Sequence, residues 1–112
     1  MSSARKTPDQ ARRFMNAVAD HQGWVLNSDE SFLAHLAQGL ASNYNTYGYF
    51  LCPCRDGDGD RDEDKDIICP CVYARPDQDE YGHCFCGLFL TKEFAERGTT
   101  PRPIPERRAK GF

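Results

Sequence analysis

Six cysteines fall between positions 52 and 86 as three Cys-x-Cys pairs: Cys52-Pro53-Cys54, Cys69-Pro70-Cys71 and Cys84-Phe85-Cys86. Fourteen residues separate the first pair from the second, and twelve the second from the third. Six thiols in so small a chain point to three disulfides, a metal, or a metal together with a redox pair. A disulfide inside a Cys-x-Cys pair would close a very small, strained ring. Structural zinc takes four ligands, often from Cys-x2-Cys pairs, so six thiolates exceed one site. A two-zinc cluster would use all six, but with looser ligand spacing. An iron–sulfur cluster takes four thiolates and leaves two. Such a cluster passes electrons singly, whereas breaking a disulfide needs two. Two spare cysteines beside a one-electron carrier are therefore a suggestive set. Spacing ranks iron–sulfur ahead of zinc and does not say which two thiols are spare.

The chain that must position these thiols has 112 residues and a net charge of −3. That length suits one domain with a modest core, helped by a metal or a staple. The charge balance points away from a nucleic-acid binder, and no stretch approaches a membrane span. Met1 to Lys6 has basic residues but no apolar run, so it does not read as a secretory signal. A cytoplasmic address follows, where structural disulfides are kept reduced. Three static disulfides are accordingly the weakest of the three readings.

Thr7-Pro8-Asp9-Gln10 predicts a helix start with a capping box. Ala11, Phe14, Met15 and Val18 give that helix an apolar face, and Gly23 ends it. His21, near the helix end, suits the negative pole there. Trp24, Val25 and Leu26 bridge into the core. Asn27-Ser28-Asp29-Glu30 opens a second helix with Phe32, Leu33, Leu36 and Leu40 as its stripe. His35 has no partner ligand at helical spacing and reads as a surface or core-edge residue. Asn43 to Gly48 ends this helix, and Tyr44, Tyr47, Tyr49 and Phe50 lead into the first cysteine pair.

Arg55 to Asp66 carries seven acids against three bases. Asp56-Gly57-Asp58-Gly59-Asp60 invites a calcium reading, but Arg61 and Ile67 stand where an EF-hand needs glycine and glutamate. A solvated loop entering a short polar helix near 62–66 is expected instead. Arg75-Pro76-Asp77 and Glu80-Tyr81-Gly82 read as turns. Thr91 caps one helical turn that Gly98 ends. Beyond it, Pro101, Pro103 and Pro105 make an extended tail, with five bases and one acid from Arg97 to Phe112. This tail reads as a docking strip for an acidic protein or as a soluble end. The fold class is mainly α: a small single domain of short helices and long loops. The domain spans 1–98, and the tail 99–112.

The order Cys-Pro-Cys, Cys-Pro-Cys, Cys-x-Cys, followed by Gly87-Leu88-Phe89-Leu90-Thr91, resembles the catalytic chain of ferredoxin:thioredoxin reductase. The resemblance runs from about Ala11 into the tail, including Pro103-Ile104-Pro105-Glu106-Arg107-Arg108. It implies a largely helical fold built around a [4Fe–4S] cluster beside a redox disulfide. By position it implies Cys52, Cys69, Cys71 and Cys84 as cluster ligands and a disulfide between Cys54 and Cys86. Cys54 would be the exposed attacking thiol, and Cys86 the one lying against the cluster. Ferredoxin would be the electron donor and thioredoxin, or a thioredoxin-like protein, the acceptor. A small non-catalytic subunit would be a further partner.

The chain departs from the family pattern in three places. The third pair is usually Cys-His-Cys, with the histidine moving protons, and here Phe85 stands between the cysteines. His83, just before Cys84, is the candidate to take over that role. The first spacer is shorter, and the second longer, than in the plant-type pattern. A cluster-bearing redox sensor and a non-catalytic zinc-binding module stand as the alternatives.

Overall fold

The computed structural model describes residues 5–55 and 57–107, so Asp56, the first four residues and 108–112 lie outside the description. Those residues include Asp56 of the calcium-like run, Met1 to Ala4 of the N-terminal segment, and Arg108 and Lys110 of the basic tail.

Local chemistry sets the first two helices. Helix α1 (Pro8–Gln22) starts at Thr7, whose side chain accepts from the Gln10 amide while the Gln10 side chain accepts from the Thr7 amide. It ends at Gly23 in the left-handed conformation. Helix α2 (Glu30–Tyr47) starts at Asp29, which accepts from the Phe32 amide, and ends at Gly48. Both starts satisfy amide donors that a helix otherwise leaves without partners. The two helices pack together. Ala11, Met15 and Ala19 meet Leu33, Leu36, Ala37 and Leu40 in one core, which also takes in Cys69, Cys84, Leu88 and Phe89. Burying a side chain such as Met15 or Leu40 contributes about 2–3 kcal/mol.

Two very short strands tie the third cysteine pair to this core. Strand β1 (Val25–Leu26) runs antiparallel to β2 (Phe89–Leu90), pairing Val25 with Leu90 and Leu26 with Phe89. The sequence predicts no strand here, because two residues are too few to show alternation. Helix α4 (Ala74–Tyr81) likewise replaces the two predicted turns. Pro76 sits in its first turn, where a missing amide costs nothing. Gly82 ends α4 at φ 89°, and a Cβ there would lie 2.4 Å from the Phe94 ring. Helix α5 (Lys92–Glu96) is the single turn capped by Thr91.

The acidic segment folds around one carboxylate. Helix α3 (Arg61–Asp64) continues into a 3-10 turn, Lys65–Ile67. Asp64 is wholly buried rather than solvated. Its carboxylate accepts from the amides of Asp58 and Gly59, at 3.0 and 3.1 Å, and from the Tyr49 hydroxyl at 2.6 Å. A buried charge persists when its lone pairs are filled this way. Burial, and then the Asp64 carboxylate, push Tyr49 up to about 12.

Asp64→Ala is expected to cost about 2–4 kcal/mol, because two amides and a hydroxyl lose their acceptor. A fall in the urea midpoint checks it. Tyr49 has a higher pKa folded than unfolded, so its contribution is full below about pH 10 and is lost as pH rises through about 12. Stability of Tyr49→Phe should therefore decline less steeply than the native chain's across that alkaline window.

Candidate functional site

Backbone pairing assembles the three cysteine pairs. The Cys52 amide donates to the Ile67 carbonyl at 2.8 Å, and the Cys69 amide to the Phe50 carbonyl at 2.7 Å. These bonds form a bridge between Leu51 and Ile68 that sets the first pair beside the second. The Cys84 amide donates to the Phe89 carbonyl, folding the third pair back onto β2. Pro53 rests against α2 at Gly39, where a Cβ would come within 3.1 Å of the proline ring. Glycine in mid-helix is unfavourable by about 1 kcal/mol relative to alanine, and here it admits the Cys-Pro-Cys turn.

Five of the six cysteines line one small apolar cavity of about 20 Å³: Cys52, Cys69, Cys71, Cys84 and Cys86, walled by Ala74, Leu88 and Phe89. Cys52, Cys69 and Cys84 are buried, and Cys71 and Cys86 half-buried. Cys54 is exposed and faces a different groove, of about 640 Å³, lined by Phe32, His35, Leu36 and Pro53. His35 is thus a surface residue beside Cys54. Cys86 also borders a groove of about 590 Å³ with Phe32, Phe85 and Pro101.

The thiols differ electrostatically. Burial pushes Cys69 well up and Cys84 up to about 12. It also raises Cys71, against the pull of Arg55. Cys86 lies 3.1 Å from Cys52, sulfur to sulfur, and also within hydrogen-bond reach of Cys54. It is held well up as the donor to both. Its donation brings Cys52 down to about 7 and lowers Cys54, with burial opposing in each case. The six sulfurs are not bonded to one another in this structure.

The donor set fits a thiolate-held cluster. Cys52, Cys69, Cys71, Cys84 and Cys86 share one apolar cavity, and polar hydrogens of Phe89 and Arg55 point at the sulfurs of Cys84, Cys71 and Cys52. The Phe89 amide donates to Cys84 at 3.4 Å, and Arg55 to Cys71 and Cys52 at 3.3 and 3.6 Å. Among the described residues, no group of three or more His, Cys, Asp or Glu side chains is arranged to hold a metal ion. The fit therefore rests on sulfur donors, burial and hydrogen bonding.

Two features escaped the sequence. Arg55, next to Cys54 in the sequence, has a side chain only 4 % exposed. It makes the smallest contribution to lowering Cys54 and turns instead toward Cys52 and Cys71. The described part of the tail, 99–107, is extended but fastened to the body. Glu106 pairs with Arg55, Arg107 with Asp77 and Glu80, and the Arg102 amide donates to His83 Nε2 at 3.3 Å. His83 is buried, with Nδ1 2.8 Å from the Cys84 carbonyl. The tautomer protonated at Nδ1 satisfies both contacts. Such links, up to 51 residues apart in sequence, leave no local periodicity to read.

Cys52 and Cys54 both have lowered pKa values, and of the two only Cys54 is exposed, so it is expected to react first. With limiting iodoacetamide under reducing, oxygen-free conditions, peptide mapping should find the label first on Cys54. First labelling at Cys71 or Cys86 would contradict this ordering.

The family described as ferredoxin thioredoxin reductase catalytic beta chain matches residues 1–109. The ferredoxin-thioredoxin reductase catalytic chain of Porphyra purpurea is 36% identical over 84 residues, covering 73% of this chain and 68% of the relative. That of Guillardia theta is 36% identical over 93 residues, covering 80% and 87%. The Arabidopsis thaliana protein, whose name specifies chloroplastic, is 33% identical over 101 residues, covering 87% and 66%. With the match running nearly end to end, this chain belongs to the ferredoxin-thioredoxin reductase catalytic chain family of enzymes.

Proposed function

We propose that this chain is a ferredoxin-dependent disulfide reductase acting on thioredoxin or a thioredoxin-like protein. The observation that carries this reading is the exposed Cys54, its pKa lowered, within reach of Cys86 at the edge of a cavity walled by the remaining cysteines. Cys52, Cys69, Cys71 and Cys84 would hold a [4Fe–4S] cluster. When bound, that group supplies one-electron transfer next to the sulfurs.

The chain's own residues account for the exchange. Cys54 thiolate attacks one sulfur of the target disulfide, forming a mixed disulfide and releasing the first target thiolate. Cys86, deprotonated, attacks the Cys54 sulfur, closing a Cys54–Cys86 disulfide and releasing the second. The released thiolates take up protons to give the reduced dithiol. Resetting the Cys54–Cys86 disulfide takes two electrons and two protons, hence two one-electron deliveries from ferredoxin. His83 is the proposed proton carrier, through Nε2. Both of its ring nitrogens face backbone groups, so transfer requires the long Arg102 contact to open.

The remaining assignments are of the same kind. A domain over 1–98 with a tail over 99–112 is the proposed division, with the described part of the tail, 99–107, a fastened strap rather than a soluble end. A small non-catalytic subunit is a proposed partner, by extension from the relatives named as catalytic chains. No helix among the described residues is long and apolar enough to cross a membrane. We place the chain in the cytoplasm, whose reducing poise keeps such thiols available; the Arabidopsis relative is named for the chloroplast.

Serine at Cys52, Cys69, Cys71 or Cys84 should remove or severely destabilise the cluster. Iron content and the visible spectrum of protein purified without oxygen report it. A colourless native protein with stoichiometric zinc would sink the whole reading. Cys86→Ser should trap a mixed disulfide between Cys54 and an oxidised thioredoxin, and Cys54→Ser should trap none; mass spectrometry distinguishes them. The adduct appearing on Cys86 would reverse the two roles. His83→Gln should slow turnover by about a hundredfold and abolish the solvent isotope effect while sparing the cluster spectrum. A native rate would return His83 to a purely structural place.

A further inference from the structure

Arg55 is the most unusual charged group in the described chain. Its guanidinium is nearly closed off from water, with a side chain 4 % exposed, yet it touches five different groups. Nη1 donates to Cys71 Sγ at 3.3 Å and lies 3.6 Å from Cys52 Sγ. Nε and Nη2 form a two-point contact with the Glu106 carboxylate at 2.5 and 2.6 Å. The Phe85 ring lies 4.4 Å from the guanidinium carbon, and the Tyr73 ring 5.3 Å. The fork is therefore fixed in plane by a carboxylate on one edge and stacked on aromatic faces. Its remaining nitrogen is left aimed at sulfur.

A buried cation held this firmly has few structural reasons to exist. A single surface pairing with Glu106 would need no contact with sulfur, and burying an ion pair is weak support for stability. What the arrangement does offer is a fixed positive charge and two donors at sulfurs that carry negative charge as thiolates. Net charge and hydrogen bonds to sulfur are among the levers that set the reduction potential of an iron–sulfur centre. Glu106 belongs to the tail, which Arg107 fastens to Asp77 and Glu80. The tail thereby supplies the carboxylate that orients the cation.

We propose that Arg55 is a positioning and charge-setting residue that raises the reduction potential of the cluster by donating to Cys52 and Cys71, with Glu106 of the tail orienting it and moderating its charge. This rests on the reading of Cys52 and Cys71 as cluster ligands. It assigns the tail a part in the electron chemistry rather than in docking. It also makes Phe85 the ring on which the cation stacks.

The test is a redox titration of the full chain, purified and kept without oxygen, with the potential read from the visible and electron paramagnetic resonance spectra. Arg55→Gln removes the cation and should shift the potential down. Glu106→Gln keeps an acceptor for Nε but removes the opposing charge, so it should shift the potential up. Arg55→Lys should fall between Arg55→Gln and the native chain, since it keeps the charge without the fork. The double variant Arg55→Gln/Glu106→Gln should lie closer to the native value than Arg55→Gln alone.

Opposite signs for the two single variants are what a charge effect requires and what simple damage to the fold does not give. Shifts of the same sign in both, or no shift in either, overturn the proposal while leaving the cluster reading intact. Loss of the cluster in Arg55→Gln leaves Glu106→Gln and Arg55→Lys to decide by the same signs. A native chain that holds no cluster overturns both this proposal and the functional reading beneath it.

Discussion

Sulfurs gathered in an apolar pocket resist ionisation, and the rest of this structure answers that constraint. Each thiol taken from water is pushed toward its neutral form, as the raised Cys69 and Cys84 show. Thiolate chemistry at the same place needs compensating donors. The chain provides them from three directions: the Phe89 amide at Cys84, the Arg55 guanidinium at Cys71 and Cys52, and the Cys86 thiol at Cys52 and Cys54. Ala74, Leu88 and Phe89, backed by the core of α1 and α2, supply the apolar wall that creates the problem. The loops supply the hydrogens that relieve it.

This division of labour explains why one of six similar residues stands apart. Cys54 and Cys52 are two positions apart on one turn, so their side chains leave it in different directions. Cys52 enters the cavity, and Cys54 meets solvent beside Phe32 and Pro53. Cys86 lies between them in reach of both. Under the proposed roles, a nucleophile at Cys54 must reach an outside partner, while a metal ligand at Cys52 must be kept from one. A Cys-x-Cys turn can satisfy both demands within three residues.

Much of the scaffold was legible because its signals are local. The Thr7 and Gln10 capping box, the Asp29 and Thr91 caps, and the stops at Gly23 and Gly48 act over three or four residues. Propensity and hydrogen bonding there point the same way. The concentration of cysteines was legible for a different reason, since thiols have few bland uses. The α4 helix was hidden by Pro76, which signals a turn in isolation and is tolerated in a first helical turn. Strands of two residues carry no period. Asp64 looked solvated because its neighbours are charged, and only the folded loop brings the Asp58 and Gly59 amides and Tyr49 to it. The fastening of Glu106 to Arg55, and of Arg107 to Asp77, depends on distant partners that no window along the chain contains.

The strap has a consequence for how the protein is made. Glu106 lies twenty residues beyond the last cysteine, Cys86. A ribosome therefore completes every thiol before the residue that seats Arg55 leaves the exit tunnel. For that interval Arg55 lacks the carboxylate that holds its guanidinium in plane. The cation beside Cys52 and Cys71 is thus set in its final orientation only when the chain is nearly finished.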